Sequence, residues 1–226
     1  MVSEKTKTDS KRLKLKHMKL FTIAIALLFA SASVVAQDNE AKAKKILDGL
    51  SKEMKAYKSI YIEFKSSIKG EGTNISSEGK AWIKGDKYFY QDKDAKIWNN
   101  LVNVWNLEIG DDVCYKTEAD EEDGINPSKL LRIWEDGFKY SYYDKASTAT
   151  THAIKLFPKD PKGSKYHTVI IKVNKSTNKI SGMTVKTKDG MTVHYTISKF
   201  SVNIDVSDSK FKFDKAKNPG VKVEEL

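Results

Sequence analysis

The sequence predicts a mainly β domain in which one curved antiparallel sheet is covered by a helix and a short apolar helical segment. Apolar residues recur at helical spacing over 38–57, whereas apolar and polar residues alternate in many short stretches after residue 60. The 226 residues are 39% hydrophobic and 31% charged, which is typical of a folded chain. A single cysteine excludes an intramolecular disulfide, so apolar burial has to build the core.

The first 36 residues are expected to be a cleaved secretory signal peptide. Seven basic residues precede an apolar stretch at 20–30, and the small residues that follow this stretch lead to a cleavage site after Ala36. A single domain over 37–226 then remains. An uncleaved membrane anchor is the alternative, but a spanning helix needs about 20 apolar residues. Because no cysteine stands directly after the apolar stretch, at the new N-terminus, the exported protein is expected to be soluble and not lipidated.

The positive charge of the chain is concentrated in this N-terminal segment. Removal of residues 1–36 takes away seven basic and two acidic residues and lowers the net charge from +10 to +5. A charge of +5 over 37–226 is weak evidence for a nucleic-acid partner, and none is expected. Met18 is a more ordinary start for a signal peptide than Met1, and both starts remain open.

A helix is predicted from Asp38, whose side chain can cap its N-terminus. The apolar residues that follow fall on one face at spacings of three and four. They are Ala43, Ile46, Leu47, Leu50, Met54 and Tyr57.

The next segments are predicted to be strands, because their apolar residues occupy every second position. Residues 60–68 alternate in this way, and glycine and asparagine at 70–74 mark a turn before the strand at 79–84. Further strands are predicted at 87–92, 101–107, 112–117, 153–156, 166–173, 179–187, 191–200 and 210–213.

The register of one hairpin follows from the pattern alone. A three-residue loop at 188–190, with Gly190 in the left-handed region, gathers apolar side chains on one face of the hairpin. It pairs Thr187 with Met191, Val185 with Val193 and Met183 with Tyr195.

The middle of the chain combines an acidic run with an apolar helical segment. Five of the six residues at 118–123 are acidic, but they do not fit a calcium-binding loop, since Ala119 and Leu130 occupy its first and last ligand positions. A solvated acidic loop is therefore expected. Pro127 suits the first position of a helix. The apolar residues of this segment are Leu130, Leu131, Ile133, Trp134 and Phe138.

No catalytic motif is visible, so the chain is not expected to be an enzyme or to hold a metal or cofactor. His152, His167 and His194 are widely spaced and are interpreted as surface or rim residues. Cys114, between Val113 and Tyr115, is interpreted as a small buried hydrophobic residue. The unusual feature is apolar: a curved sheet under two helices can enclose a cavity that binds acyl chains, at roughly 0.8 kcal/mol per methylene.

The order of segments resembles the LolA family, the periplasmic carriers that move lipoproteins from the inner to the outer membrane of Gram-negative bacteria. The likeness extends over most of 38–226. The segments that carry it include Ile62-Glu63-Phe64, Gly79-Lys80-Ala81-Trp82-Ile83-Lys84, Val104-Trp105, Asn126-Pro127-Ser128 with Leu130-Leu131, Leu156-Phe157-Pro158, Asp189-Gly190, and Phe211-Lys212-Phe213 before Pro219-Gly220-Val221.

The resemblance implies a half-open antiparallel β-barrel with a helical lid at 127–134 over a hydrophobic cavity for the acyl chains of a lipoprotein. It also implies a monomer in the periplasm, an inner-membrane transporter that releases lipoproteins, and a receptor at the outer membrane. The implied ligand-binding residues are Ile60, Ile62, Phe64, Ile83, Trp105 and Leu107 on the sheet, and Leu130, Leu131, Trp134 and Phe138 at the lid.

One departure from the family concerns the closure of the lid. Many members carry an Arg-Pro pair where this chain has Gly85-Asp86, and their arginine hydrogen-bonds to the lid. Here either packing alone closes the lid, or Arg132, the only arginine in 37–226, makes the contact from the lid side. Because of this departure a second hypothesis stays open: a periplasmic binding module of the same fold that senses or ferries another lipid. A periplasmic hydrolase is the least favoured hypothesis.

Overall fold

The computed structural model describes residues 38–119 and 126–226. The expected signal peptide at 1–36 and residues 120–123 of the acidic run lie outside these ranges. The helix α1 covers 38–56. The other regular elements are β1 Ile60–Gly70, β2 Thr73–Lys84, β3 Lys87–Gln91, β4 Ala95–Asn99, β5 Asn103–Glu108, β6 Val113–Glu118, α2 Pro127–Leu130, β7 Phe138–Tyr142, β8 Thr151–Pro158, β9 Tyr166–Asn174, β10 Ile180–Thr187, β11 Thr192–Val202 and β12 Lys222–Glu225.

The twelve strands of the described residues form one curved sheet, which does not close into a barrel. Their order is β12-β6-β5-β4-β3-β2-β1-β11-β10-β9-β8-β7. Neighbours are antiparallel except β12, which pairs parallel to β6. Strand β1 lies between β2 and β11 and thereby joins the two halves of the chain. The predicted fold class, a curved and mainly antiparallel sheet with helices, is confirmed.

The apolar face of α1 packs on this sheet, as its spacing predicts. Ala43, Leu47, Leu50 and Met54 are buried, in one cluster with residues of β1, β2, β3 and β7–β10. This large cluster defines the helix-covered face of the sheet. A six-residue cluster lies on the opposite face and consists of Phe89, Trp98, Trp105, Leu107, Cys114 and Phe211.

The predicted hairpin register is confirmed. Met183 pairs with Tyr195 and Val185 with Val193, and the Thr187 N–H donates to the Met191 carbonyl at 3.0 Å. Gly190 has a φ of 87°, in the left-handed region that the three-residue loop requires.

Several predicted boundaries were wrong. The residues 210–213 are not a strand: a 3-10 helix covers Asp208–Phe211, because Phe211 turns inward and is fully buried in the six-residue cluster. The last strand is β12 instead. Phe138 does not continue the apolar helical segment, since Gly137, with a φ of 76°, ends it and Phe138 begins β7. The strand β4 was not predicted.

Candidate functional site

The site begins with a short lid, residues 127–134, that lies on the helix-covered face. Asn126 caps its helix α2, since the Asn126 side-chain oxygen accepts from the Lys129 N–H at 3.0 Å and from the Ser128 hydroxyl at 2.8 Å. A 3-10 helix, Ile133–Glu135, continues the lid. The proline and the cap therefore start the helix where the sequence predicts.

A buried tryptophan joins the lid to α1. Trp134 is 4% exposed, and its indole Nε1 donates to the Ser51 hydroxyl at 2.9 Å. A buried indole N–H needs such a partner, because leaving it unpaired costs about 1–3 kcal/mol. The contact fixes the C-terminal end of the lid.

An ion pair joins the lid to the β2–β3 turn. Arg132 donates from Nη2 to Oδ1 of Asp86. Both groups are partly exposed to solvent, so the pair contributes at most about 1 kcal/mol. Arg132 thus makes a contact from the lid side, as the second of the two alternatives expects.

An apolar cavity lies beneath the lid, between it and the strands. Its surface is apolar throughout. It is lined by Ile62, Phe64, Tyr90, Pro127, Leu130, Leu131, Ile180, Gly182, Met183, Tyr195 and Ile197. Strands β1, β3, β10 and β11 supply its floor, and the lid supplies its roof.

The ring of Phe64 forms the centre of this floor. It stacks on Tyr90 with ring centroids 5.8 Å apart, and it packs edge-to-face with Tyr195 with ring centroids 6.1 Å apart. Gly79 faces Phe64 across the β1–β2 pair. A Cβ at Gly79 would lie 2.4 Å from Cζ of Phe64, so only glycine leaves room for the ring.

Among the described residues that line the cavity, none is suited to acid–base or nucleophilic chemistry at neutral pH. Its titratable residues are Tyr90 and Tyr195, and burial raises the pKa of both phenols. The Tyr90 hydroxyl also donates to Asp92 at 2.8 Å, outside the cavity lining. Burial lowers the pKa of His152 and of His194, but neither histidine lines the cavity.

Most of the sequence-predicted site residues come together on the helix-covered face. Ile62, Phe64, Leu130 and Leu131 line the cavity itself. The neighbouring residues of the same cluster are Ile60, Ile83, Trp134 and Phe138.

Trp105 and Leu107 lie elsewhere, in the six-residue cluster on the opposite face. The register pairs Trp105 with Trp98, and Trp98 with Phe89. Since side chains alternate between faces, Trp105 and Leu107 share that opposite face. The expectation that they line the cavity is corrected by this placement.

Sequence reasoning missed the lining residues from β3, β10 and β11. A signal was available for two of them, because the predicted hairpin already pairs Met183 with Tyr195 on one apolar face. Tyr90, Ile180 and Ile197 carried no comparable signal.

Two further features of the described residues bear on function. No helix in 38–119 or 126–226 is long and apolar enough to cross a membrane. In those same ranges, no three histidine, cysteine or acidic side chains come together as a metal site.

Solved structures with similar folds have little sequence identity to this chain. An uncharacterized conserved protein from Thermus thermophilus has 8% identity and a TM-score of 0.54, with 82% of this chain and 99% of that one covered. A LolA superfamily protein from Nitrosomonas europaea has 11% identity and a TM-score of 0.44, over 76% and 97% of the two chains. A putative outer membrane lipoprotein-sorting protein domain from Vibrio parahaemolyticus has 9% identity and a TM-score of 0.41, over 79% and 99%.

Among curated proteins, none matches the sequence. A family model does match, over residues 89–214, which are more than half of the chain. These residues include β4–β11, the lid and most of the cavity lining. The chain belongs to the family described as outer membrane lipoprotein carrier protein LolA.

Proposed function

We propose that residues 37–226 act, after removal of residues 1–36, as a periplasmic carrier that binds the acyl chains of lipoproteins and moves them from the inner to the outer membrane. The observation that carries the proposal is a wholly apolar cavity closed by a tethered lid. An inner-membrane transporter would load the carrier and an outer-membrane receptor would unload it. No bond is made or broken in this function.

The size of the cavity implies that the lid moves when cargo binds. The cavity beneath the lid has a volume of about 50 Å³, whereas pockets that enclose a drug-sized ligand have about 300–1,000 Å³. Leu130 and Leu131 occupy the space above the floor. The apolar floor can accept an acyl chain only after these side chains leave it.

The energies of lid closure and of cargo binding are comparable. Burial of an acyl chain of about twelve carbons contributes roughly 10 kcal/mol. Three large apolar side chains of the lid, Leu130, Leu131 and Trp134, contribute roughly 6 kcal/mol when they are buried. Displacement of the lid therefore offsets part of the gain from burying the acyl chain, which suits a carrier that has to release its cargo.

A release assay tests the proposal. The full chain is expressed, and the exported protein is purified and added to spheroplasts that bear labelled lipoproteins. We expect the soluble fraction to gain lipoprotein in complex with the protein. Leu130→Glu should abolish this release, because a carboxylate in the cavity loses its hydration. Leu101→Glu is the matched control, since Leu101 is 52% exposed in a turn.

Failure of release with the inner-membrane machinery and ATP present would refute the lipoprotein cargo. Equal release by the Leu130→Glu and Leu101→Glu variants would refute the role of the cavity. Extraction of the purified protein and mass spectrometry of bound lipid would then test the alternative, a binding module for another lipid.

A further inference from the structure

Another pocket lies on the opposite face of the sheet, where residues 203–221, the C-terminal segment, cross β3 and β4. Its volume is about 170 Å³. It is distinct from the cavity under the lid, and a ligand bound in it is independent of the lipoprotein cargo proposed above. We call it the basic pocket, and its lining residues are Phe89, Gln91, Lys96, Trp98, Ser209, Lys210, Lys212, Asp214, Lys217 and Asn218.

The basic pocket has a surplus of positive charge. Four lysines line it and Asp214 is its one carboxylate. That carboxylate is already engaged, since it accepts from Lys217 Nζ at 3.2 Å and from the Ala216 N–H at 3.0 Å. Within the described residues, Lys96, Lys210 and Lys212 form no ion pair, so three cations remain available to an anion.

The structure holds one of these cations in place. Lys210 Nζ lies 3.9 Å from the ring centroid of Trp82 and 4.3 Å from that of Phe89. Two aromatic faces attract the ammonium group without neutralising it. Burial, together with the charge of Lys217, lowers the pKa of Lys210. A bound anion would relieve this unfavourable environment.

The segment that carries these lysines is anchored at both sides of Lys210. Before it, Asp208 accepts from Lys84 at 2.8 Å and from Lys87 at 3.0 Å. After it, Phe211 is fully buried. The lysines are therefore presented from a fixed backbone, which lowers the entropic cost of binding a ligand.

We propose that the basic pocket binds a phosphate group. Phosphate carries up to two negative charges and several strong acceptor oxygens, which suits three unpaired ammonium groups better than a single carboxylate does. Gln91, Ser209 and Asn218 add polar side chains to its lining. The buried aromatic floor of Phe89 and Trp98 gives the pocket an apolar side, which can contact the carbon atoms attached to the phosphate.

The phosphate can come from a lipid headgroup or from a soluble phosphate ester, and two measurements distinguish these sources. The protein, expressed as the full chain, is floated with vesicles of phosphatidylcholine alone and of equal parts phosphatidylcholine and phosphatidylglycerol. Separately, inorganic phosphate and glycerol phosphate are titrated into the protein and followed by calorimetry. Low ionic strength is used, because salt screens exposed charges.

The test variant combines Lys96→Gln with Lys212→Gln and leaves Lys210 on its aromatic rings. The control combines Lys172→Gln with Lys186→Gln, two exposed lysines on β9 and β10 that lie outside the pocket. Both variants remove two positive charges. If the test variant unfolds, Lys212→Gln alone replaces it, because Lys212 is exposed.

We expect the test variant to lose about 25-fold in affinity, a factor of about five for each lysine, while the control changes little. Flotation with the anionic vesicles assigns the site to a lipid headgroup. Binding of the soluble phosphates without flotation assigns it to a phosphate ester. Equal loss in test and control variants, or no binding in either measurement, would overturn the proposal.

Discussion

Replacement of Gly79 by alanine tests how tightly the cavity floor is packed. The new methyl carbon would lie 2.4 Å from Cζ and 3.0 Å from Cε1 of Phe64, whereas carbon atoms pack at about 3.5–4.0 Å. The Phe64 ring must therefore move by about 1 Å. It is 6% exposed and packs between Tyr90 and Tyr195, so little space is free.

The expected cost follows from two opposing effects. Overpacking of a core costs typically 1–3 kcal/mol. Alanine also restricts the unfolded chain, which stabilises the fold by about 0.4–1 kcal/mol. We therefore expect Gly79→Ala to lower the free energy of unfolding by about 1–2 kcal/mol.

Urea unfolding followed by tryptophan fluorescence measures this change. Gly49→Ala is the matched control: Gly49 lies in α1, and its added Cβ would meet only Asn178 Nδ2, at an ordinary 3.6 Å. There alanine should stabilise by about 0.5–1 kcal/mol. In a Phe64→Leu background the cost of Gly79→Ala should largely vanish. A neutral Gly79→Ala variant, or an equal cost in both backgrounds, would refute the reasoning.

Three further predictions concern the lid and the buried thiol. Amide hydrogen exchange over 126–138 should be faster than in β8–β10, since the lid buries fewer apolar contacts; equally slow exchange would contradict a lid that opens. Asp86→Asn should speed lid exchange up to about fivefold, because Arg132 loses a charged acceptor, and unchanged exchange would mean that packing alone closes the lid. Burial raises the pKa of Cys114 from 9.0 to about 11, so between these pH values the unfolded state loses its proton first. The free energy of unfolding should therefore fall with rising pH more steeply than in Cys114→Ala, and equal slopes would contradict the buried thiol.

Local periodicity was enough to predict α1 and the β10–β11 hairpin. In both, the apolar stripe follows from residues close in the chain, and only one arrangement gathers it on one side. Pro127 likewise placed the start of the lid. For each of these elements, residues that are close in the chain are enough to predict its structure.

The assignment of faces in β3–β5 could not be predicted, because both sides of these strands are apolar. Tyr90 and Phe89 are neighbours in the chain, yet Tyr90 lies in the large cluster and Phe89 in the six-residue cluster. The alternation of side chains along β4 and β5 allows Trp105 and Trp98 to share a face, but it does not indicate which face that is. The C-terminal segment covers the face that holds the six-residue cluster, and this covering determines the face on which Trp98 and Trp105 are buried.

The floor of the cavity also depends on a long-range pairing. Ile62 pairs with Phe200 and Phe64 with Ile197, across a register shift after Glu63. Such a shift leaves no periodic signal that separates it from a regular strand. It nevertheless decides which side chains of β11 reach the cavity.

The β2–β3 turn is the point where the two coverings of the sheet are tied together. Asp86 accepts from Arg132 of the lid on one side, and Lys84 and Lys87 donate to Asp208 of the C-terminal segment on the other. These exposed ion pairs contribute little, so apolar burial decides which covering opens first. The C-terminal segment buries Phe211 completely and continues into β12, whereas Leu130 of the lid is only partly buried. We therefore expect the lid to open before the C-terminal segment does, as the proposed carrier function requires of the helix-covered face.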